Sequence, residues 1–281
     1  MYPFPKTPTA DDVGNEVSGH VWIQEVVTGK PIRFQVQSSG LVRFGNQREV
    51  FEHGSIPLWL ESATRNVRDR LELGILRDVV DDVEDVTFYG TATLNLGTSY
   101  DWSRLPGFLG VDVHKGDGAG GGGFSSPDDV EKIFGSLGLW TLPPVEKEKR
   151  SRHTDFTECY SDGLPESRYR DGEVAGVLVR DKSGGRIETR RNEAWKRGSQ
   201  EILDGKDGVE EFVSGNQVLD EIMENLVEDP SDGSSLDEVL EPVLGEFIRR
   251  NYVYLYREEE PVVDRRSLRS AVAETLSRRL G

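Results

Sequence analysis

Cysteine is nearly absent from this chain: Cys159 stands alone among 281 residues. One thiol excludes an internal disulfide and any metal cluster built from several cysteines. Histidine is scarce as well, and His20, His53, His114 and His153 show no metal-ligand spacing. No apolar run approaches the ~18 residues of a membrane-crossing helix, so no membrane is expected among its partners. The first residues lack the charged-then-apolar pattern of an export signal, and the expected location is the cytoplasm. Lysine is the other shortage: the basic residues are 25 Arg and only 9 Lys, against 51 Asp and Glu, for a net charge of -17. Acid excess with little lysine fits a cytoplasm at multimolar salt, where carboxylates keep a protein hydrated and soluble. The expectation is a halophilic source, in which the acidity is an adaptation to solvent. It then loses the force it would otherwise have against nucleic-acid binding.

The charge is uneven along the chain. From Gln200 to Glu246 there are 15 acidic residues and one lysine, and from Phe247 to Gly281 eight arginines against five acids. The organisation follows that division. Residues 1–15 are Pro-rich and polar and read as an arm; 16–197 carry most of the strand patterns; 198–281 read as helical. Gly19 to Val36 alternates as strand material around a Gly29-Lys30-Pro31 turn, with Val21, Ile23, Ile32, Phe34 and Val36 at period two. Ile56 to Asp78 has helical periodicity, and Val86–Thr93 and Gly107–Val113 read as core strands. Lys115 to Gly123 is a glycine-rich loop. Ser126-Pro-Asp-Asp opens a helix with acids in its first turn. Val174–Val179 is a further strand, and Gly184-Gly185 turns it into Arg186–Arg190. Ser235-Leu-Asp-Glu238 is a capping box before Val239–Tyr256, with a start or kink expected at Pro242. Asp264 caps a last helix with a Leu268, Val272, Leu276, Leu280 stripe. The fold class is α+β.

Six segments, in order and spacing from Glu16 to Arg197, resemble the RNA-ligase-like family of covalent nucleotidyltransferases, of haloarchaeal type. Glu25-Val26-Val27-Thr28-Gly29 stands where the family carries Glu-Lys-x-Asp-Gly, whose lysine attacks ATP. Ser38-Ser-Gly-Leu-Val-Arg43-Phe-Gly is similar to the next strand, which offers an arginine to the substrate. Phe88-Tyr-Gly90-Thr91 takes the place of a Gly-Glu pair, and Phe108-Leu-Gly-Val111-Asp112-Val113 that of the strand presenting an aromatic ring to adenine. Val174-Ala175-Gly176-Val177-Leu-Val-Arg180 looks like the Glu-Gly-Val-Val strand, and Gly185-Arg186-Ile-Glu188-Thr the last lysine-bearing strand. The resemblance implies the fold of the ligase and capping-enzyme superfamily: antiparallel sheets around a cleft, plus a small C-terminal helical domain. It also implies RNA or a nucleotide as partner, and ATP and Mg as cofactors if any activity or binding is retained.

The residues at the reacting positions lack the chemistry. Adenylylation needs a neutral, nucleophilic lysine amine, and Val26 has no nitrogen. Thr28, Thr91 and Ala175 supply no carboxylate for a divalent ion or for the ribose. Glu188 would repel the phosphate that a lysine there would stabilise. Val111 offers a purine a weaker face than an aromatic ring. The expectation is therefore a degenerate ligase-like protein, with Glu25, Lys30, Arg33, Arg43, Arg180 and Arg186 as the candidates for binding a nucleotide or RNA end. Arginine forks suit phosphate, and Arg186, Arg190, Arg191, Arg180 and Lys182 form a basic cluster; a solvated hairpin face is the alternative. Two further readings stand beside the first. One is an active ligase with a displaced lysine, Lys30 or the Lys115-Gly-Asp-Gly loop. The other is a non-catalytic interaction protein with a filled cleft and a protein partner on its C-terminal helices. Arg249, Arg250, Arg257, Arg265, Arg266, Arg269, Arg278 and Arg279 make those helices basic, and pairing with the acidic block is the expected use of that charge. Tyr252, Tyr254 and Tyr256 read as core and rim.

Overall fold

The structure is a computed structural model, and it describes residues 1–9, 17–52, 54–116, 122–151, 163–191, 205–226, 236–257 and 259–280. Contacts divide the chain into two compact units. The first is Met1–Ile56, Ala63–Thr93 and Ser99–Lys196; the second is Pro57–Ser62, Leu94–Thr98 and Arg197–Gly281.

The strands of the first unit are β1 (His20–Glu25), β2 (Gly29–Val36), β3 (Val42–Gly45), β4 (Val86–Thr93), β5 (Phe108–Lys115), β6 (Gly123–Phe124), β7 (Pro144–Arg150), β8 (Gly176–Asp181) and β9 (Arg186–Arg191). They form two antiparallel sheets, one ordered β7-β1-β8-β9 and the other β3-β2-β4-β5-β6. The sequence pattern predicts strand on both sides of a turn at Gly29-Lys30-Pro31. In the structure the break comes earlier, at Val26–Thr28, and Gly29, Lys30 and Pro31 lie inside β2. The chain changes sheets there, so β1 and β2 never pair with one another. Pro31 is tolerated because β3 pairs only with Arg33–Val36, leaving Pro31 on a locally open edge.

The five-stranded sheet buries an aromatic core on one face: Phe34, Phe44, Phe88, Phe108 and Phe134. Phe34 and Phe88 stack at 4.7 Å, and Phe134 meets Phe88 edge to face at 5.8 Å. Phe134 comes from a helix, Pro127–Ser136, whose Ser126 accepts a hydrogen bond from the Asp129 amide. That is the cap its sequence predicts. The sheet must come close to this helix, and it does so at Gly110, where a Cβ would lie 2.5 Å from the Phe134 ring.

The apolar spacing of Ile56–Asp78 predicts one helix. The structure has a 3-10 turn at Leu58–Leu60, then α1 (Glu61–Arg70) and α2 (Leu73–Val79). The interruption falls at Glu72, whose amide donates to the carbonyl of Leu137 at 3.1 Å and so leaves the helical ladder. The capped helix after Ser126 is accordingly α3.

The second unit contains α4 (Gly205–Ser214), α5 (Gln217–Leu226), α6 (Leu236–Leu255) and α7 (Arg265–Leu280), with a two-stranded ribbon of β10 (Tyr256–Arg257) and β11 (Glu260–Pro261). Val213, Ile222, Leu244, Phe247, Val272 and Leu276 are among its fully buried side chains. Ser235 lies outside the described residues. Pro242 was the expected kink, but the non-helical residue in α6 is Asn251. Asn95, in the same unit, donates its amide to the Arg249 carbonyl at 3.0 Å and its side chain to that of Arg250 at 2.8 Å. Those carbonyls are thereby drawn from the helical ladder just where the helix bends. Asp264 caps α7 by accepting from the Ser267 amide at 3.0 Å. Four of the C-terminal arginines pair with carboxylates of the acidic block: Arg249 with Glu246, Arg250 with Glu221 and Glu246, Arg269 with Glu241, Arg279 with Asp220. Among the described residues no helix is long and apolar enough to cross a membrane.

Candidate functional site

Strand register decides which side chains face one another between the two sheets of the first unit. In β8, Val177 and Val179 pack with Val21, Ile23 and Ile187 on one face. Leu178 and Arg180 therefore take the other face, with their pairing partners Gln24 and Trp22 of β1 and Glu188 and Arg186 of β9. Val26, two residues past Gln24, continues that row. In the five-stranded sheet a bulge between β4 and β5 sets Tyr89 opposite Asp112 and Gly90 opposite Gly110. Gly110 and Val113 point into the aromatic core, so the bulge leaves Val111 and Asp112 both on the far face. Thr91 and Leu109, paired across β4 and β5, share it. Strand geometry thus brings Val26, Thr91, Val111, Leu178, Arg180, Arg186 and Glu188 to one inter-sheet region.

That region is filled. Val27, Tyr100, Leu105, Leu109, Leu142, Tyr169 and Leu178 form a buried cluster, with Val26, Trp102 and Val111 packed against it. The Tyr100 hydroxyl accepts from the Thr28 amide at 3.1 Å, and burial pushes its pKa up to about 12. Thr28 is itself buried, and Ala175 is 4% exposed at the entrance to β8.

Arg180 and Arg186 both bind Asp112. Arg180 reaches Oδ1 at 2.7 Å and Arg186 bonds Oδ2, and Asp112 is fully buried. Arg180 also donates to the Val111 carbonyl at 2.5 Å, while Arg186 lies over the Phe124 ring at 4.8 Å. Burial pushes the Arg180 pKa down, Asp112 opposes that, and Arg186 adds to it. Two guanidiniums share one carboxylate, and both are buried.

The other candidates scatter. Glu25 leaves the inter-sheet row; it is buried and accepts from the Ser167 hydroxyl and the Arg168 amide. Burial raises its pKa despite those bonds. Arg33 lies on the same sheet face as Tyr89, its pairing partner, and donates to the Tyr2 carbonyl at 2.8 Å. Arg43 is exposed on β3 opposite Gln35. Lys30 has the strand parity of Ile32 and Phe34, which places it on the aromatic-core face, away from Val26. Lys115 has the parity of Val113 and ends β5 exposed; Asp117 and Gly118 lie outside the described residues. Lys182 pairs with Glu148 and Asp128, and the Arg190 and Arg191 side chains are outside the description. Sequence reasoning missed Tyr100, Tyr169 and Leu142, which fill the region from loops with no motif of their own. Asp112 was legible only as a residue that fitted the family strand.

The positions read from the sequence as reacting positions hold Val26, Thr28, Thr91, Ala175 and Glu188, a set with one carboxylate and no lysine. Divalent ions favour several oxygen donors, carboxylates above all, and this set offers a single carboxylate.

In comparison with solved structures, the chain superposes on the RNA ligase of Naegleria gruberi. Against a mutant of that enzyme with ATP and Mn the TM-score is 0.52, at 9% identity over 71% of this chain and 59% of that one. Against the same ligase with PPi it is 0.51, at 10% identity over 69% and 57%. An archaeal ATP-dependent RNA ligase matches more loosely, with a TM-score of 0.47 at 13% identity over 99% of this chain and 65% of that one. The chain spans less than two thirds of the length of these proteins. No family model matches it, and no curated protein matches it. At such identity the likeness concerns the fold alone, and the fold is that of the ligase nucleotidyltransferases: antiparallel sheets flanked by helices.

Proposed function

We propose that this is a non-catalytic RNA-ligase-like protein, one that has lost lysine adenylylation and engages RNA or a nucleotide without a covalent step. Residues 16–197 are its nucleotidyltransferase domain and 198–281 its helical domain, and a salt-rich cytoplasm is its setting. The observation that carries the non-catalytic part of the reading is Val26 packed against the buried apolar cluster, with Arg180 and Arg186 both held on Asp112. A nucleophile is missing where the amine would stand, and two of the cations that could hold phosphate are buried around Asp112. Lys30 supports no displaced-lysine alternative, because strand parity sets it on the opposite face of its sheet.

Glu25, Arg33 and Arg43 remain outside that group. In high salt, counterion release contributes little, so stacking and hydrogen bonds must carry any RNA contact. The test uses a 5′-phosphorylated oligoribonucleotide with a complementary splint and an abutting 3′-hydroxyl strand. The protein with ATP and Mg is expected to bind the strands in a mobility shift and to join none of them. Joined product would refute the reading, as would the absence of any shift across salt concentrations.

A further inference from the structure

The row Arg33–Tyr89–Asp112 continues along β5 to His114, three residues beyond Val111 and away from the filled region. His114 and Phe124 meet edge to face at 5.0 Å. The ring of Tyr2 lies flat on His114, with centroids 3.7 Å apart and planes 8° from parallel. It also meets Phe124 edge-on at 6.2 Å. The backbone of Tyr2 is held on both sides. Its amide donates to Thr87 Oγ1 at 3.1 Å, and its carbonyl accepts from Arg33 Nη1 at 2.8 Å and from the Tyr89 hydroxyl at 3.0 Å. Phe4 sits edge-on to Tyr89 and beneath the Arg33 guanidinium. Further on, the Pro8 carbonyl accepts from the Glu188 amide at 3.0 Å.

These contacts hold a planar ring on an imidazole and an oxygen on a guanidinium. We propose that this is a slot for a nucleobase bearing a phosphate, occupied in the structure by the chain's own Tyr2 segment as an internal competitor. The inference rests on the reading that the protein engages RNA or a nucleotide, and it says where and under what control. Three features support exchange of one occupant for the other. Tyr2 is 49% exposed, so only one face of its ring is covered. A phosphate oxygen would replace a neutral carbonyl on Arg33 with a charge-assisted hydrogen bond, which is stronger. Arg33 is 7% exposed, and its Nε has no partner among the described residues, so the present occupant leaves the guanidinium under-satisfied.

The test compares the full chain with Tyr2→Ala, Tyr2→Phe and the double variant Tyr2→Ala with His114→Ala. The probes are a 5′-phosphorylated tetra-adenylate labelled at its 3′ end, followed by anisotropy, and unlabelled AMP as competitor. Tyr2→Ala should bind the strand at least about tenfold tighter, as expected when the closed form holds about nine tenths of the population. Tyr2→Phe, which keeps the ring, should match the natural chain, and the double variant should lose the gain. A synthetic peptide of residues 1–9 should displace the strand from Tyr2→Ala. Competition by AMP would assign the slot to a single nucleotide, and its failure to compete would assign it to a strand. If the natural chain binds and Tyr2→Ala binds no tighter, the slot is refuted while RNA engagement stands. If no form binds either probe, the underlying reading fails and the slot with it.

Discussion

Asp112 holds two buried guanidiniums on one carboxylate, as Glu246 does with Arg249 and Arg250 in the second unit. Truncating one member of a buried charge network strands the others in a low-dielectric setting. Asp112→Ala should therefore lower stability by about 3–5 kcal/mol in urea denaturation; a loss within error would show that the arginines find water or new partners. Asp181 is a further hub, at the β8–β9 turn. Burial pushes its pKa up, but donation from the Ser18, Ser183 and Gly185 amides and the Ser183 hydroxyl outweighs that and holds it below the usual carboxylate range. The folded value lies below the unfolded one, so its stabilisation is complete above the unfolded pKa of about 3.9 and is lost as pH falls through the folded value. Asp181→Asn should be less stable than the natural chain by about 1–3 kcal/mol near neutrality. That gap should close on acidification, as followed by denaturation at several pH values; a gap independent of pH would contradict the assignment. The residue types at Val26, Thr28 and Ala175 can be read directly from short segments of the sequence. The use of Arg180 and Arg186 was not legible. Their partner lies 68 and 74 positions away, and only the facing of two sheets brings them together.

The elements show the same division between local and non-local causes. α3 follows from Ser126, Pro127 and the acids after them, and the β8–β9 hairpin from Gly184-Gly185; both signals lie within a few residues. The break between α1 and α2 and the kink at Asn251 come from backbone groups recruited by distant residues: the Glu72 amide by the Leu137 carbonyl, and the Arg249 and Arg250 carbonyls by Asn95. Periodicity carries no information about such recruitment. The strand exchange at Val26–Thr28 was hidden because both flanking strands alternate with period two whichever sheet they join. Close approach of sheet and helix is written in Gly110, where a Cβ would lie within 2.6 Å of three ring atoms of Phe134. Gly110→Ala should cost about 1–3 kcal/mol by overpacking and lower the thermal midpoint. A neutral effect would mean that α3 moves outward without loss.

For the whole molecule, length and pattern indicated an α+β chain, the family resemblance implied antiparallel sheets, and the structure has both. The net charge of -17 sets the conditions in which the protein should be studied, since salt screens its self-repulsion. What we propose is chemical: this chain has the fold of the ligase nucleotidyltransferases and does not carry out their lysine adenylylation. The most direct test is incubation with ATP labelled at its α-phosphate, in multimolar KCl with Mg or Mn, followed by intact mass and peptide mapping. An ATP-dependent RNA ligase that is labelled under the same conditions serves as the control. The account predicts no covalent AMP on this chain. A single AMP adduct, mapped to Lys30, Lys115 or any other lysine, would contradict it and make the protein an active nucleotidyltransferase with a displaced nucleophile.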